Sequence, residues 1–152
     1  RRAIEEGLID PRRTVQIGIR GSLHETSDLD WPLAQGVRIL TMEDIETLGV
    51  EGVVGEVLRV VGDDPAYLSF DVDGLDPVFA PGTGTPEVGG LTTREAMRIL
   101  RGLRGMSFVG GDVVEVSPPF DPSGGTALVG ATMMFEILCL LAESVAHRRA
   151  AG

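Results

Sequence analysis

What most constrains the fold of this 152-residue chain is the alternation of two hydrophobic periods along it. Short β-branched runs recur: TVQIGIR (14–20), VRIL (37–40), AYLSFDV (66–72) and MSFVGGDVVEV (106–116). Each is apolar and bounded by Gly, Pro or charged residues, as buried strands are. Helical spacing fills the intervals. Thr41 reads as an N-cap with Glu43 and Asp44 in the first turn, followed by Val50, Val53, Val54, Val57, Leu58 and Val61. Gly49, Gly52 and Gly55 argue against one unbroken helix there. TTRE (92–95) has the form of a capping box, with Ala96, Leu100 and Leu103 on one face behind it. A shorter helical turn is predicted at 31–35 and a last helix over 126–146. RRAIEEG reads as the end of a helix, with Gly7 as its C′ residue. Strand and helix in alternation predict an α/β fold: a mainly parallel sheet with helices on both faces, in three αβα layers.

An apolar share of 43% and a charged share of 24% suit a globular chain long enough for one core. The net charge of −10 disfavours nucleic acid and anionic lipid as partners and suits a cationic ligand. All 13 basic residues are arginine, so no mechanism that needs lysine is open. Cys139 is the only cysteine, which excludes an internal disulfide and a cysteine-based metal site. A lone buried thiol fits a reducing compartment, and a cytoplasmic location is expected. No secretory signal is visible. The apolar run 126–142 is shorter than the ~20 residues of a membrane span and contains Glu136, so it reads as a core helix.

In parallel α/β sheets ligands bind beyond the carboxyl ends of the strands, so polar residues there are the site candidates. Asp71 and Asp73 close the third strand. In an extended segment they point the same way, with Cα atoms about 6.6 Å apart. Paired carboxylates repel and lose hydration, and a hard divalent cation such as Mg²⁺ or Mn²⁺ relieves both costs. D-x-D is also a common string, and turn hydrogen bonds explain the pair equally well on spacing alone. Asp76-Pro77 reads as a turn. Glu115 ends the fourth strand and shares a face with Val113 and Ser117. It suits a bidentate guanidinium, although spacing alone favours a partner among the chain's own arginines, such as Arg20. In APGTGTPEVGGLT (80–92), glycines allow close backbone approach, and Thr83 and Thr85 offer hydroxyls. The loop lacks the GK[ST] of a phosphate-binding loop, yet loops of this length commonly carry function. His24, in the loop 21–30, is a candidate substrate-binding residue, with a solvated loop histidine as the plainer reading. His147 lies in a basic tail beside a helix C-terminus.

Taken together, SFDVDGLDPVFAPGTGTPEVGGLT, GGDVVEVSPPFDPSGGTAL and VQIGIRGS resemble the C-terminal half of the ureohydrolases (arginase/agmatinase family). The similarity runs in order along essentially the whole chain, and PGTGTPE and VEVSPP look more like the agmatinase branch. The resemblance implies an incomplete portion of the arginase-like αβα fold and a binuclear Mn²⁺ centre. It implies hydrolysis of a guanidino compound to urea and an amine, with agmatine (giving putrescine) as first substrate and guanidinobutyrate as second. Asp71 matches the family's metal-bridging carboxylate and Asp73 a ligand of one metal ion. Glu115 matches the carboxylate that receives the substrate guanidinium, and Thr85 a hydroxyl lining the site. The implied partners are a small cationic guanidino substrate and further copies of the same chain in a homo-oligomer. The family's other metal ligands come from G-G-D-H and D-A-H-x-D motifs, which this chain lacks, so the chain alone is expected to bind Mn²⁺ poorly and to be inactive. Two rival readings are a haloacid-dehalogenase-type phosphatase, whose D-x-D-G-T departs from DVDGL at Leu75, and a truncated non-catalytic paralogue.

Overall fold

The computed structural model describes residues 1–23, 25 and 27–151. Four strands alternate with helices: α1 (Arg2–Glu5), β1 (Val15–Ile19), α2 (Asp30–Gln35), β2 (Arg38–Thr41), α3 (Met42–Val61), β3 (Ala66–Asp71), α4 (Thr93–Gly102), β4 (Phe108–Val114) and α5 (Gly125–Ala151). Single 3₁₀ turns lie at Pro11–Arg13, Val72–Gly74 and Pro118–Phe120. The α/β alternation is as expected, and every strand pairing is parallel.

The local chemistry that starts each helix is visible atom by atom. Thr41 Oγ1 accepts from the Asp44 N–H while Asp44 bonds back to the Thr41 N–H, a complete capping box. Thr92 and Glu95 repeat the arrangement at α4. Gly49, with φ 67°, breaks the helical geometry inside α3, so this helix is two segments joined at a kink.

The strands form two two-stranded ladders, β1–β2 and β3–β4, where one continuous sheet was expected. The register of β1 slips between Ile17 and Ile19, and its end packs against the turn Val72–Gly74 rather than pairing with β3. α3 packs on β1 and β2, α5 packs on β4, and α4 lies between α3 and α5. Leu40, Val53, Leu75, Met133 and Ile137 are fully buried in the core this creates, with Leu68 and Phe70 of β3 packed against them. On the opposite face of β3–β4, Tyr67, Val109 and Val114 remain exposed. Over these strands the described residues therefore supply two of the three expected layers.

α5 differs most from expectation. It is 27 residues long, extending past both ends of the predicted helix. Its inner stripe, Thr126, Met133, Ile137, Leu140 and Ser144, is buried, yet Leu128, Phe135 and Leu138 on its outer side are more than half exposed. Cys139 is also exposed, which corrects the reading of a buried thiol. Apolar residues on both sides hide the single amphipathic stripe that would have predicted orientation. By length and composition α5 is the one helix among the described residues long and apolar enough to cross a membrane, a test that a core helix of a globular protein also passes. Its inner stripe nonetheless belongs to the protein core.

Candidate functional site: carboxylates at the strand ends

β3 and β4 run side by side, so their carboxyl ends open at the same edge. Asp71 is the last residue of β3, but Asp73 already lies in the 3₁₀ turn Val72–Gly74. The two are therefore not an extended pair, which corrects the strand geometry assumed for them. Instead Asp71 caps the turn: its Oδ1 accepts the Asp73 N–H at 3.0 Å. Asp73 Oδ2 in turn accepts the Thr85 hydroxyl at 2.9 Å, which brings the Gly-rich loop 80–92 against the acidic turn.

Glu115 was expected inside β4, on one face with Val113 and Ser117. The strand ends at Val114, and Glu115 has φ 65°, the only positive φ outside glycine among the described residues. A side chain in this region is strained, and such strain gathers at functional sites. The left-handed turn breaks the alternation and brings the carboxylate to the loop: a Cβ at Gly84 would lie 3.9 Å from Glu115 Oε2. Ser117 N–H donates to Gly82 C=O at 2.8 Å, fastening the same two segments.

The electrostatics follow from this crowding. Burial pushes the Asp71 carboxyl up to about 6, and the charges of Asp73 and Glu115 push the same way, against the hydrogen bond from the Asp73 N–H. A carboxyl so placed gains from a cation. The donors are hard oxygens, which fit Mn²⁺ or Mg²⁺. No group of three or more His, Cys, Asp or Glu able to hold a metal exists among the described residues. Asp71 and Asp73 thus fit a divalent metal as part of a ligand set and do not complete one.

The third acid belongs to the scaffold, as its Asp-Pro context indicates. Asp76 accepts the N–H groups of Val78 and Gly89 at 3.0 and 2.8 Å, and these backbone bonds hold its carboxyl below the usual range. Thr83 is buried with its hydroxyl unpartnered, next to the loop residues that meet Glu115. His24 lies outside the described residues. His147 is exposed in the last turns of α5, within the tail rather than the site.

Two residues, Asp121 and Arg20, tie together segments around the site through contacts that the sequence reading did not assign. Asp121 accepts the Thr126 and Ala127 N–H groups at 3.1 and 2.8 Å, capping the start of α5, while Thr126 Oγ1 receives the Gly82 N–H at 2.8 Å. Arg20 does not pair with Glu115, which corrects the alternative drawn from spacing. It donates to backbone carbonyls around the acidic turn instead. The D-P-S spacing ahead of α5 signals the cap, but nothing in the sequence signals the carbonyl partners of Arg20.

Fold and site together define an α/β protein with its polar cluster at the carboxyl edge of parallel strands. The chain belongs to the arginase family, whose profile matches residues 1–140. It is 64% identical to a guanidinopropionase from Pseudomonas aeruginosa over 97% of its own length and 46% of that relative. It is 50% identical to a mitochondrial agmatinase from Gallus gallus, over 93% of this chain and 42% of the other. Among solved structures, the proclavaminate amidino hydrolase of Streptomyces clavuligerus superposes with a TM-score of 0.89 at 43% identity, covering 94% of this chain and 48% of that one. The chain thus spans about half the length of these relatives.

Proposed function

We propose that the complete protein is a ureohydrolase that cleaves a guanidino compound to urea and an amine with two Mn²⁺ ions. The observation that carries this reading is the convergence of Asp71, Asp73, Thr85 and Glu115 at one strand edge. Asp71 and Asp73 would hold metal, with Thr85 steering the Asp73 carboxylate through its hydroxyl. When bound, the metal pair supplies a water activated for attack at neutral pH. Glu115 receives the guanidinium through a charge-assisted pair and turns its carbon toward the acidic turn.

The substrate's far end is read against two signals that disagree. The acidic loop with Glu25, Asp28 and Asp30 suits the second cation of agmatine. The 64% identity to a guanidinopropionase supports a guanidino acid. The second signal weighs more, because Asp28 and Glu25, two of these three carboxylates, are engaged within the loop. Asp28 accepts the Glu25 N–H at 3.0 Å, and Glu25 accepts the Ser27 hydroxyl at 3.3 Å. Urea release by the complete protein from guanidinopropionate, guanidinobutyrate and agmatine, with Mn²⁺ supplied, tests both levels. A higher kcat/KM for a guanidino acid is expected. No urea from any of the three would refute the reaction itself, and agmatine ranking first would reverse the substrate order.

A further inference from the structure

The geometry points to Arg20 as a positioning residue for the metal-binding carboxylate turn, a role that rests on the ureohydrolase reading above. Arg20 follows β1 directly, and its guanidinium donates to five backbone carbonyls. One is its own neighbour, Gly18, at 3.3 Å. Two belong to the acidic turn, Asp73 at 2.7 Å and Leu75 at 3.2 Å. Two belong to the end of the Gly-rich loop, Glu87 at 2.6 Å and Val88 at 3.3 Å. The cation therefore joins three segments that are far apart in sequence, and all five partners are neutral oxygens rather than a carboxylate.

That choice of partners has a physical consequence. Binding the Asp73 carbonyl fixes the peptide plane that follows Asp73, while Thr85 holds the Asp73 carboxylate from the loop side. Thr85 itself stands two residues before Glu87, whose carbonyl Arg20 also grips. The same two segments are laced by Asp76 N–H to Leu91 C=O at 2.9 Å and Leu91 N–H to Gly74 C=O at 3.1 Å. The approach is so close that a Cβ at Gly90 would stand 2.6 Å from Asp76 N and 2.8 Å from Arg20 Nη2. A planar guanidinium with five N–H donors can serve such a divergent set of acceptors; an ammonium group cannot. Arg20 is thus a clasp behind the carboxylates that sets where they point without touching substrate. Partners that orient metal ligands typically account for about 10–100-fold in metal affinity or activity.

The test uses the complete protein and its Arg20→Lys variant. Mn²⁺ binding is titrated by electron paramagnetic resonance, kcat and KM are measured separately, and Tm is recorded without metal. The expected result is a Kd for Mn²⁺ at least about tenfold weaker and a fall in kcat, with KM within about threefold because Glu115 lies outside the clasp. Mn²⁺ affinity and kcat both within about twofold of wild type would overturn the assignment, as would a rise in KM alone. Should the variant not fold, the wild-type protein decides. Mn²⁺ should slow amide exchange at Asp76 and Leu91 by at least about fivefold and leave Val53 in α3 unchanged, since coupling is reciprocal. Unaltered exchange at Asp76 and Leu91 overturns the clasp. A wild-type protein that binds Mn²⁺ with this response, yet yields no urea from any guanidino compound, refutes the ureohydrolase reading and leaves the clasp standing.

Discussion

At the scale of single residues, Glu115 carries both the strain and the charge of the site. A non-glycine residue at φ 65° costs on the order of 1–3 kcal/mol. Glu115→Gly relieves that cost and is expected to stabilise the complete protein by about 1 kcal/mol in urea unfolding. Glu115→Gln keeps the backbone strain and removes the charge, so a gain confined to the glycine variant isolates the conformational part. Both variants should lose roughly 100-fold in kcat/KM, the worth of a charge-assisted pair to the guanidinium. An active glycine variant would remove Glu115 from the substrate site. Acids that end apolar strands are costly and stand out in the sequence, but it was the family resemblance, not their spacing, that grouped these carboxylates as one site. The sequence concealed their geometry. Asp73 sits in a 3₁₀ turn and Glu115 in a left-handed bend, and neither departure from extended backbone leaves a compositional trace.

At the scale of elements, the N-caps at Thr41 and Thr92 were legible and the tertiary ties were not. Thr92→Ala removes the hydroxyl that receives the Glu95 N–H and should destabilise the protein by about 1 kcal/mol, read by chemical denaturation. A change below a few tenths would mean that α4 is held by packing alone. Glu56 on α3 answers to two arginines, Arg59 at 2.8 Å and Arg38 of β2 at 2.6 Å. These hydrogen bonds, Arg59 first, lower its pKa from 4.5 to about 2. A depressed carboxyl stabilises the fold above its unfolded value and loses that contribution as pH falls through its folded value. Stability contributed by this group should therefore decline between pH 4.5 and about 2, and Glu56→Gln should flatten the acid limb of a Tm-against-pH curve. An unchanged limb would show that the pair is fully screened by water. The strand and helix types followed from hydrophobic period and β-branching. The split into two ladders did not, because it depends on β1 meeting the turn after β3 rather than on any property of β1 itself.

At the scale of the whole molecule, the site is partial. Asp71 and Asp73 are the two carboxylates proposed above to hold metal, and no group of three or more His, Cys, Asp or Glu able to hold one exists among the described residues. The 152-residue chain expressed by itself should release no measurable urea and should bind Mn²⁺ weakly in calorimetric titration. Urea production by the isolated chain would contradict the need for ligands beyond Asp71 and Asp73. In the complete protein, removal of metal by chelator should abolish activity and Mn²⁺ should restore it; activity that survives chelation would argue against metal-held water as the nucleophile. The open face of β3–β4 and the single helix layer above the other face agree with a span of about half the relatives' length.

The exposed outer side of α5 also offers an experimental handle. Cys139 is the only thiol in the 152 residues, is exposed, and lines a surface groove with Arg101, Arg104, Glu136 and Glu143. A maleimide dye attached there reports from one known position, with no competing cysteine to blank out. Its rate of attachment and its emission colour register directly how wet that side of the helix is. Comparing the 152-residue chain with the complete protein, any cysteine outside these residues being replaced by serine, would then turn one sulfur atom into a gauge of how much of α5 is covered.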